Sequence, residues 1–454
     1  MSRVFEKVLV ANRGEIALRI VRACRELGLK TVGVYSEADR NLLHLDFVDQ
    51  KVFLGGNMPL ETYLNQEKIL KACQLTRCDA VHPGYGFLSE NIKFAELVTG
   101  QGITFIGPDV AVLRDMKNKL QAKRKLLQAG VPVIPGSSGT VSDLSEARQI
   151  SGEIGYPLMI KACLGGGGRG IRVVESESVL ADAFNGACRE AGFAFGCAEV
   201  YIEKLLGSSR HIEVQILADR HGQVIHLGER ECSLQRRRQK ILEESPSPGI
   251  DPDLRERILQ AAVTAARTLE YTTCGTFEFL VTNSGEFYFM ELNARIQVEH
   301  PVTELVTGVD IVREQIRTSA GEPLRVTQRD IQARGHSIEM RINAEDPERN
   351  FMPSPGTLTR FDIPRGPGIR VDSHCFTGYT VPPHYDSLIA KLVVWDSDRP
   401  FAVRRAREAL QSFIVEGVAT TVPFHLKILQ DQDFLEGRFH TRFLEERDER
   451  IVEC

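Results

Sequence analysis

A run of four glycines at 165–168 is the first feature of the sequence that could do chemistry. Segments 156–162 and 171–174, on either side, have the short apolar pattern of strands, so the run predicts a hairpin flap. It lacks both the Gly-Lys-Ser/Thr ending and the following helix of a Walker loop. Backbone N–H groups without side chains can form a concavity that binds anions, and Lys161 would add a positive charge. A polyphosphate site is therefore favoured over a surface hairpin.

Carboxylates and an amide lie on a second predicted hairpin, with strands at 275–281 and 286–293. A four-residue loop between them would pair Glu278 with Phe289. Glu291 would then be the diagonal neighbour of Glu278 on one face, with Asn293 two residues further along it. These hard oxygen ligands suit Mg²⁺ bound together with substrate phosphates. A solvated polar face is the alternative and would be preferred for Glu278 alone. The cluster, in a chain with a phosphate flap, favours the metal site.

Arg295, Gln297 and Glu299 alternate with apolar residues directly after this hairpin. All three face one way if the segment is extended. An arginine beside a carboxylate can hold an anion and deprotonate it, which metal ligands alone cannot do. A structural salt bridge is the alternative interpretation.

The basic run at 235–240 resembles a nucleic-acid patch, but acidic residues surround it. The whole chain carries 56 Lys and Arg against 61 Asp and Glu, a net charge of −5. A site for phosphate or a small anion is therefore the better prediction, and bulk nucleic-acid binding is not expected.

The elements that must position these residues alternate in the first third of the chain. Strands are predicted at 8–11, 31–35, 80–82 and 103–106, and helices over 16–27, 66–75 and 92–98. Such alternation predicts an α/β fold with a parallel, doubly wound sheet. The first turn reads Asn12-Arg13-Gly14 rather than GxGxxG, so the dinucleotide fingerprint is missing.

Composition excludes several classes of protein. The 454 residues suggest about three domains at roughly 150 residues each. No apolar run reaches the roughly 18 residues of a membrane span, and the N-terminus lacks a signal peptide's apolar stretch. Ten cysteines without a CxxC pair predict reduced thiols rather than a zinc or disulfide framework. A cytoplasmic protein without membrane or nucleic-acid partners is expected.

Several motifs together resemble the biotin carboxylase family. They are A-N-R-G-E-I-A at 11–17, H-P-G-Y-G-F-L-S-E-N at 82–91, the glycine flap, R-I-Q-V-E-H-P at 295–301, R-I-N-A-E-D-P at 341–347, and G-Y-T-V-P-P at 378–383 with Y-D-S at 385–387. The resemblance extends from about residue 4 to about residue 435. It implies an ATP-grasp fold in three parts: a Rossmann-like domain at 1–112, an ATP-grasp domain at 113–331 with a lid near 132–204, and a biotin carboxylase C-terminal domain at 332–454.

The resemblance also implies roles for individual residues. Those expected to bind ATP are Lys119, Lys161, Gly167, Gly168, Glu203, Lys204, Leu205, Leu206, His211, Arg238, Glu278 and Glu291. Those expected to hold about two Mg²⁺ or Mn²⁺ ions are Glu278, Glu291 and Asn293. Those expected to bind bicarbonate are Lys240, Arg295 and Val298. The expected catalytic set is Arg295, Glu299, Arg341 and Lys240, with Glu299 as base and Arg341 at the biotin ureido oxygen.

Three residues depart from the family pattern. Lys117 stands where glycine is usual, Arg238 replaces a histidine that contacts nucleotide, and Ala294 replaces a small hydroxylic residue. They bear on nucleotide affinity more than on the type of reaction, because the metal, bicarbonate and biotin positions are intact. We expect Arg238 to contact the nucleotide, with a solvated arginine as the alternative.

The resemblance implies carboxylation of biotin by ATP and bicarbonate through carboxyphosphate. The chain lacks the Met-Lys-Met turn of a biotinyl domain, so biotin is expected on a separate carrier protein, with separate carboxyltransferase subunits and a homodimeric enzyme. An acetyl-CoA carboxylase feeding fatty-acid synthesis is the favoured context. A pyruvate or propionyl-CoA carboxylase, a different ATP-grasp ligase and a non-catalytic paralogue are the alternatives.

Overall fold

The first part of the chain is a parallel sheet with flanking helices. The structure is a computed structural model that describes residues 5–117, 119–163, 171–196 and 198–447, with only the backbone at 117, 119, 194 and 195. The strands are β1 (Lys7–Val10), β2 (Lys30–Tyr35), β3 (Gln50–Phe53), β4 (Ala80–His82) and β5 (Thr104–Phe105), and the helices are α1 (Gly14–Glu26), α2 (Gln66–Thr76) and α3 (Ile92–Thr99). The strands pair in parallel in the order β3-β2-β1-β4-β5. The predicted alternation is confirmed, and β3 is an additional edge strand.

The next part of the chain contains a small antiparallel sheet. Its elements are α4 (Val110–Lys117), α5 (Lys119–Gln128), α6 (Leu144–Ile154), β6 (Leu158–Ala162), β7 (Ile171–Val174), α7 (Glu177–Phe195) and β8 (Val200–Lys204). The strand order is β7-β6-β8, and Lys161 pairs with Ile171. The two strands that flank the glycine run are thus a hairpin, as predicted. Residues 164–170 themselves lie outside the described part of the chain.

An eight-stranded antiparallel sheet forms the centre of the remaining chain. Its middle region contributes β9 (Ser209–Ala218), β10 (Val224–Arg236), β11 (Gln239–Ser245), α8 (Pro252–Thr268), β12 (Thr273–Thr282), β13 (Phe287–Asn293), α9 (His300–Thr307) and α10 (Ile311–Ser319). The last region contributes β14 (His336–Asn343), β15 (Glu345–Asp346), β16 (Met352–Pro353), β17 (Gly356–Thr357), β18 (Arg360–Asp362), β19 (Ile369–Ser373), β20 (Thr380–Val381), β21 (Leu388–Asp396), α11 (Arg399–Gln411), β22 (Ile414–Glu416), α12 (Val422–Ile428) and α13 (Gln432–Leu435). The sheet order β13-β12-β9-β10-β11-β14-β21-β19 joins strands from both regions.

Local side-chain chemistry fixes where many helices begin. Seven of them start after an Asn or Asp whose side chain accepts a hydrogen bond from a backbone N–H of the first turn, which satisfies a donor that the helix itself cannot. These capping residues are Asn65, Asn91, Asp143, Asp251, Asp310, Asp398 and Asp431. In α1, Ile16, Ile20 and Cys24 are buried on one face, as the helical spacing predicts.

The predicted register of the β12–β13 hairpin is wrong. Thr282 N–H donates to Glu286 C=O, so the turn has three residues, 283–285, instead of four. Phe279 then pairs with Phe289, and a β-bulge follows, so that Glu278 pairs directly with Glu291. A bulge inserts one extra residue into one strand and shifts every later pair. The two carboxylates are therefore closer neighbours than the diagonal arrangement predicted.

Arg13, from the motif at 11–17, joins the first and last parts of the chain. Its Nε and Nη2 donate to the two carboxylate oxygens of Asp39 at 2.7 and 2.8 Å, and Nη2 also lies 3.3 Å from Tyr379 Oη. Its guanidinium stacks 4.3 Å from the centre of the Tyr385 ring. Bidentate pairing and stacking together need an arginine.

The cysteines are consistent with the expected reduced thiols. Eight of them are described, and all eight are free. Among the described residues, no helix combines the length and apolar character needed to cross a bilayer.

Candidate functional site

Lys240 is the centre of a buried charge cluster on the eight-stranded sheet. It lies at the start of β11, and its side chain is 12% exposed. Its Nζ is 2.6 Å from Glu299 Oε1 and 3.2 Å from Glu278 Oε1, and it also contacts Glu213 of β9. One ammonium thus holds three carboxylates together. A surplus of buried negative charge of this kind calls for further cations.

Arg341 on β14 is the second cation of the cluster. Its Nε donates to Glu243 Oε1 at 2.7 Å, and its Nη2 donates to Glu299 Oε2 at 3.0 Å. Burial alone would raise the pKa of Glu299, but the charges of Lys240, Arg341 and Arg230 outweigh burial and hold this pKa well below its ordinary value. Glu299 is therefore a buried carboxylate that stays ionised near neutrality. Burial raises the pKa of Glu243 to about 7 against the opposing charge of Arg341.

The predicted metal ligands meet beside Lys240. Glu278 faces Glu291 across the hairpin, and Asn293 Nδ2 donates to Glu278 Oε1 at 2.7 Å. His211 Nε2 is 3.0 Å from Glu278 Oε2, although the imidazole was not among the predicted ligands. Burial opposes ionisation of Glu278, but Lys240 and His211 keep its pKa below the ordinary value. Two facing carboxylates supply the hard oxygens that Mg²⁺ requires, so these residues fit that ion.

Arg295 lies beside Asn293, in the segment between β13 and α9. Its guanidinium donates to Gln297 Oε1 at 2.7 Å and to Asn293 Oδ1 at 3.0 Å. The segment turns at Val298 and Glu299, where α9 begins, so the three alternating side chains do not share one extended face. Glu299 faces Lys240 and Arg341, whereas Arg295 contacts Gln297 and Asn293.

The predicted ATP-binding lysines are only partly described. Lys161 Nζ is 2.5 Å from Glu203 Oε2, on the adjacent strands β6 and β8 of the small sheet. Lys204 Nζ donates to Tyr156 C=O at 2.9 Å, while Leu205 and Leu206 are half-buried just after β8. The side chain of Lys119 and the predicted residues Gly167 and Gly168 lie outside the described part of the chain, as does the side chain of Lys117.

Arg238 is exposed at the turn between β10 and β11. It has a left-handed backbone, with φ of 66°, as does Arg237, with φ of 49°. Within the described ranges, Arg238 has no hydrogen-bond or ion-pair partner. Its side chain is thus available to a ligand, which agrees with both the nucleotide contact and the solvated alternative.

We expect Arg238→Ala to raise the KM for ATP about tenfold or more. A charge-assisted contact is worth roughly 1.5–3 kcal/mol. Arg238→His should give an intermediate KM that worsens as pH rises through about 6–7, because histidine loses its charge there. Steady-state ATP hydrolysis measures both, with Arg237→Ala in the same turn as the control. A KM for Arg238→Ala within about twofold of wild type would establish the solvated alternative.

The charged residues around the site that were not predicted as site residues include four that contact its predicted members or one another. Three of them are Glu213, Glu243 and Lys123, which contact Lys240, Arg341 and Glu203 respectively. The fourth is Arg230, fully buried on β10, which donates to Gln215 and Thr303 at 2.9 Å each and also contacts Glu213. The alternation His211-Glu213-Gln215 was a visible signal, because it places three polar residues on one face of an otherwise apolar strand.

Family models match almost the whole chain. Residues 4–113 match the model described as biotin carboxylase, N-terminal domain. Residues 118–327 match the carbamoyl-phosphate synthase L chain, ATP binding domain, and residues 339–446 match the biotin carboxylase C-terminal domain.

Named relatives and solved structures are similar over the full length. The biotin carboxylase of Nostoc sp. is 53% identical, covering 97% of this chain and 99% of the relative. A pyruvate carboxylase subunit of Methanothermobacter thermautotrophicus is 52% identical, covering 98% and 90%. The biotin carboxylase domain dimer of Hydrogenobacter thermophilus 2-oxoglutarate carboxylase, in complex with MgADP, ADP and bicarbonate, superposes with a TM-score of 0.94 at 48% identity and covers 100% of both chains.

Proposed function

Because the chain belongs to the biotin carboxylase family of ATP-dependent ligases, we propose that the Lys240 cluster carboxylates biotin with bicarbonate and ATP. The α/β fold with an ATP-grasp domain, predicted from the sequence, is confirmed. The observation that carries the proposal is the placement of Glu299, an ionised buried carboxylate held between Lys240 and Arg341 and next to the Glu278–Glu291 pair. This arrangement puts a base beside both a cationic anion site and a metal-binding hairpin.

The first half of the reaction makes carboxyphosphate. Lys240, Arg295 and the backbone of Val298 bind bicarbonate, and Glu299 accepts its proton. An oxygen of the resulting dianion forms a bond to the γ-phosphorus of ATP, while the bond from that phosphorus to the bridging oxygen of ADP breaks. Glu278, Glu291 and Asn293 would hold about two Mg²⁺ or Mn²⁺ ions. When bound, these ions would neutralise negative charge on the phosphates.

The second half of the reaction transfers CO₂ to biotin. Carboxyphosphate breaks into CO₂ and phosphate, and the phosphate removes the proton from the ureido nitrogen of biotin. The guanidinium of Arg341 stabilises the negative charge that develops on the ureido oxygen. The nitrogen then forms its bond to CO₂.

We assign nucleotide binding to residues that the small sheet and the eight-stranded sheet contribute, together with Lys119 on α5. The proposed ATP-binding set is Lys119, Lys161, Gly167, Gly168, Glu203, Lys204, Leu205, Leu206, His211, Arg238, Glu278 and Glu291. The contact between Lys161 and Glu203 supports the assignment of these two residues, on β6 and β8, to one site. We also propose the three domains 1–112, 113–331 and 332–454, with the lid near 132–204.

We propose that the enzyme is a homodimer that acts on a separate biotin carboxyl carrier protein and passes carboxybiotin to separate carboxyltransferase subunits. The dimeric structure of the Hydrogenobacter thermophilus domain supports the dimer. An acetyl-CoA carboxylase feeding fatty-acid synthesis is our first assignment. The alternative is a pyruvate or propionyl-CoA carboxylase, since relatives of about equal identity include one from a pyruvate carboxylase.

We expect the purified chain to hydrolyse ATP slowly, with a requirement for Mg²⁺ and for bicarbonate, and free biotin to accelerate the hydrolysis. The reason is that Glu299 has no proton to take, and ATP no nucleophile, until bicarbonate is bound. Initial rates of phosphate release, with and without each component, measure this. ATP turnover that ignores biotin and bicarbonate but responds to another carboxylic acid would contradict the proposal and indicate a different ATP-grasp ligase.

A further inference from the structure

A fully buried ammonium lies directly behind the bicarbonate segment, defined here as residues 295–299. It belongs to Lys391 on β21, whose side chain is 0% exposed. Lys391 is the cross-strand partner of Arg341 on β14 and of Asp372 on β19. Arg341 and Lys391 therefore project from the same face of the sheet. Arg341 contacts Glu299, and Lys391 contacts Val298, the residue before Glu299.

The contacts of Lys391 connect distant parts of the chain. Its Nζ donates to Val298 C=O at 2.8 Å and lies 3.1 Å from Glu15 Oε1 and 3.8 Å from Asp372 Oδ2. Glu15 Oε1 also accepts a hydrogen bond from Tyr85 Oη at 2.5 Å. Glu15 and Tyr85 belong to the motifs at 11–17 and 82–91, to which the proposed reaction gives no role.

The backbone N–H and C=O of Val298 explain how the contact between Lys391 and this carbonyl can affect anion binding. With an apolar side chain, Val298 can hold an anion only through its backbone N–H. In the part of the chain that the structure describes, this N–H has no hydrogen-bond partner, whereas its carbonyl is held by Lys391. The preceding carbonyl, of Gln297, is held by His300 Nδ1 at 2.8 Å. Both carbonyls are fixed, and the donor between them is left for a ligand.

We infer that Lys391 is a positioning residue for bicarbonate. By holding the Val298–Glu299 peptide, Lys391 directs the Val298 N–H and the Glu299 carboxylate toward the same anion. This inference rests on the proposed function. Glu299 is the residue that precedes α9, so the orientation of that peptide sets the direction of its side chain. Burial alone would lower the pKa of Lys391, but Glu15, Glu339 and Asp372 raise it, so the ammonium stays charged. A purely structural role, neutralising Glu15 and Asp372, is the competing explanation.

A charge-balanced pair of double variants separates the two explanations. Lys391→Met with Glu15→Gln removes the ammonium and one buried carboxylate together. Arg399→Met with Glu244→Gln removes a comparable buried pair, whose charged groups lie 2.7 Å apart on α11 and β11 and do not contact the bicarbonate segment. We expect both to lower the melting temperature. Only the Lys391 double variant should raise the KM for bicarbonate, by about tenfold, in biotin-free ATP hydrolysis, while the KM for ATP stays within about twofold in both.

Three results would overturn the inference. The first is a folded Lys391 double variant whose KM for bicarbonate lies within twofold of wild type. The second is a parallel rise in the KM for ATP, which would indicate general loss of order. The third is an equal rise in the KM for bicarbonate in the Arg399 double variant. If the Lys391 double variant does not fold, Lys391→Arg takes its place. This variant keeps the positive charge but not the contact of the compact ammonium with Val298 C=O. An unchanged KM for bicarbonate in Lys391→Arg would again overturn the inference.

Hydrogen–deuterium exchange tests the same inference with a measurement that does not depend on enzyme activity. Peptides covering residues 296–304 should exchange faster in the Lys391 double variant than in wild type and the Arg399 control, and equal exchange would overturn the positioning role. If wild-type ATP hydrolysis proves independent of bicarbonate, the proposed function fails, while exchange still decides whether Lys391 holds the segment.

Discussion

Glu299→Gln is expected to reduce bicarbonate-dependent ATP hydrolysis by about 10²–10⁴ in kcat, the usual contribution of a positioned general base. Glutamine has nearly the same shape as glutamate and can still accept a hydrogen bond from Lys240, but it cannot take the proton of bicarbonate. Initial rates at saturating ATP and bicarbonate measure the effect. A glutamine variant within tenfold of wild type would show that another group accepts the proton.

The matched control for this variant is Glu314→Gln. Glu314 is also a buried carboxylate, paired with Arg317 at 2.7 Å on α10, and it does not belong to the Lys240 cluster. We expect its kcat to stay within about twofold of wild type.

The low pKa of Glu299 also makes the stability of the protein depend on pH. Because this pKa is held well below its ordinary value, the ionised carboxylate stabilises the folded state above the unfolded-state pKa. This stabilisation is lost as pH falls through the lower folded-state pKa. As pH is lowered, the melting temperature of Glu299→Gln should therefore fall less than the melting temperature of wild type.

Arg341→Ala is expected to reduce biotin carboxylation by about 10²–10³, with a much smaller loss of biotin-independent ATP hydrolysis. The guanidinium would stabilise the ureido oxygen only after carboxyphosphate has formed. It also lies 3.0 Å from Glu299, so its removal should raise the pKa of that carboxylate. The acid limb of the ATP hydrolysis profile should consequently move to higher pH. Separate assays of carboxybiotin and phosphate release distinguish the two activities.

The conservative variant Arg341→Lys provides the control. It keeps the positive charge near Glu299 but loses the planar group that contacts Glu243 and Glu299 together. We expect its ATP hydrolysis profile to stay close to wild type and its biotin carboxylation to be intermediate. Equal losses of both activities in Arg341→Ala would instead place Arg341 in the first half of the reaction, and wild-type biotin carboxylation would remove it from the biotin site.

Local pattern was sufficient for much of the fold. Alternating apolar segments predicted four of the five strands of the parallel sheet and its three helices. The fifth strand, β3 at Gln50–Phe53, was missed because it is an edge strand whose residues are mostly exposed, so it has no apolar periodicity. The β12–β13 register was predicted incorrectly because the pattern of the two strands shows neither the three-residue turn nor the β-bulge between the Phe279–Phe289 and Glu278–Glu291 pairs.

The charge cluster was less accessible from sequence than the pairing of Glu278 with Glu291 in the β12–β13 hairpin. Glu278 and Glu291 are on consecutive strands, where pairing follows from a short turn. Glu213, Arg230 and Glu243 meet their partners only because β9, β10, β11 and β14 are neighbours in the sheet. A single sequence gives no order for eight antiparallel strands, so the charged residues on them could not be assigned to one site.

The joining of the two ends of the chain also determines when the protein can finish folding. Arg13 contacts Tyr379, 366 residues later, and Glu15 contacts Lys391. At a synthesis rate of ~5–20 residues per second, the ribosome needs roughly 20–75 s to supply these partners after the first helix emerges. Throughout that interval Glu15 and the Arg13–Asp39 pair lack the last third of the chain, which covers them in the native protein. The parallel sheet can form early, but its final burial is necessarily one of the last events of biosynthesis.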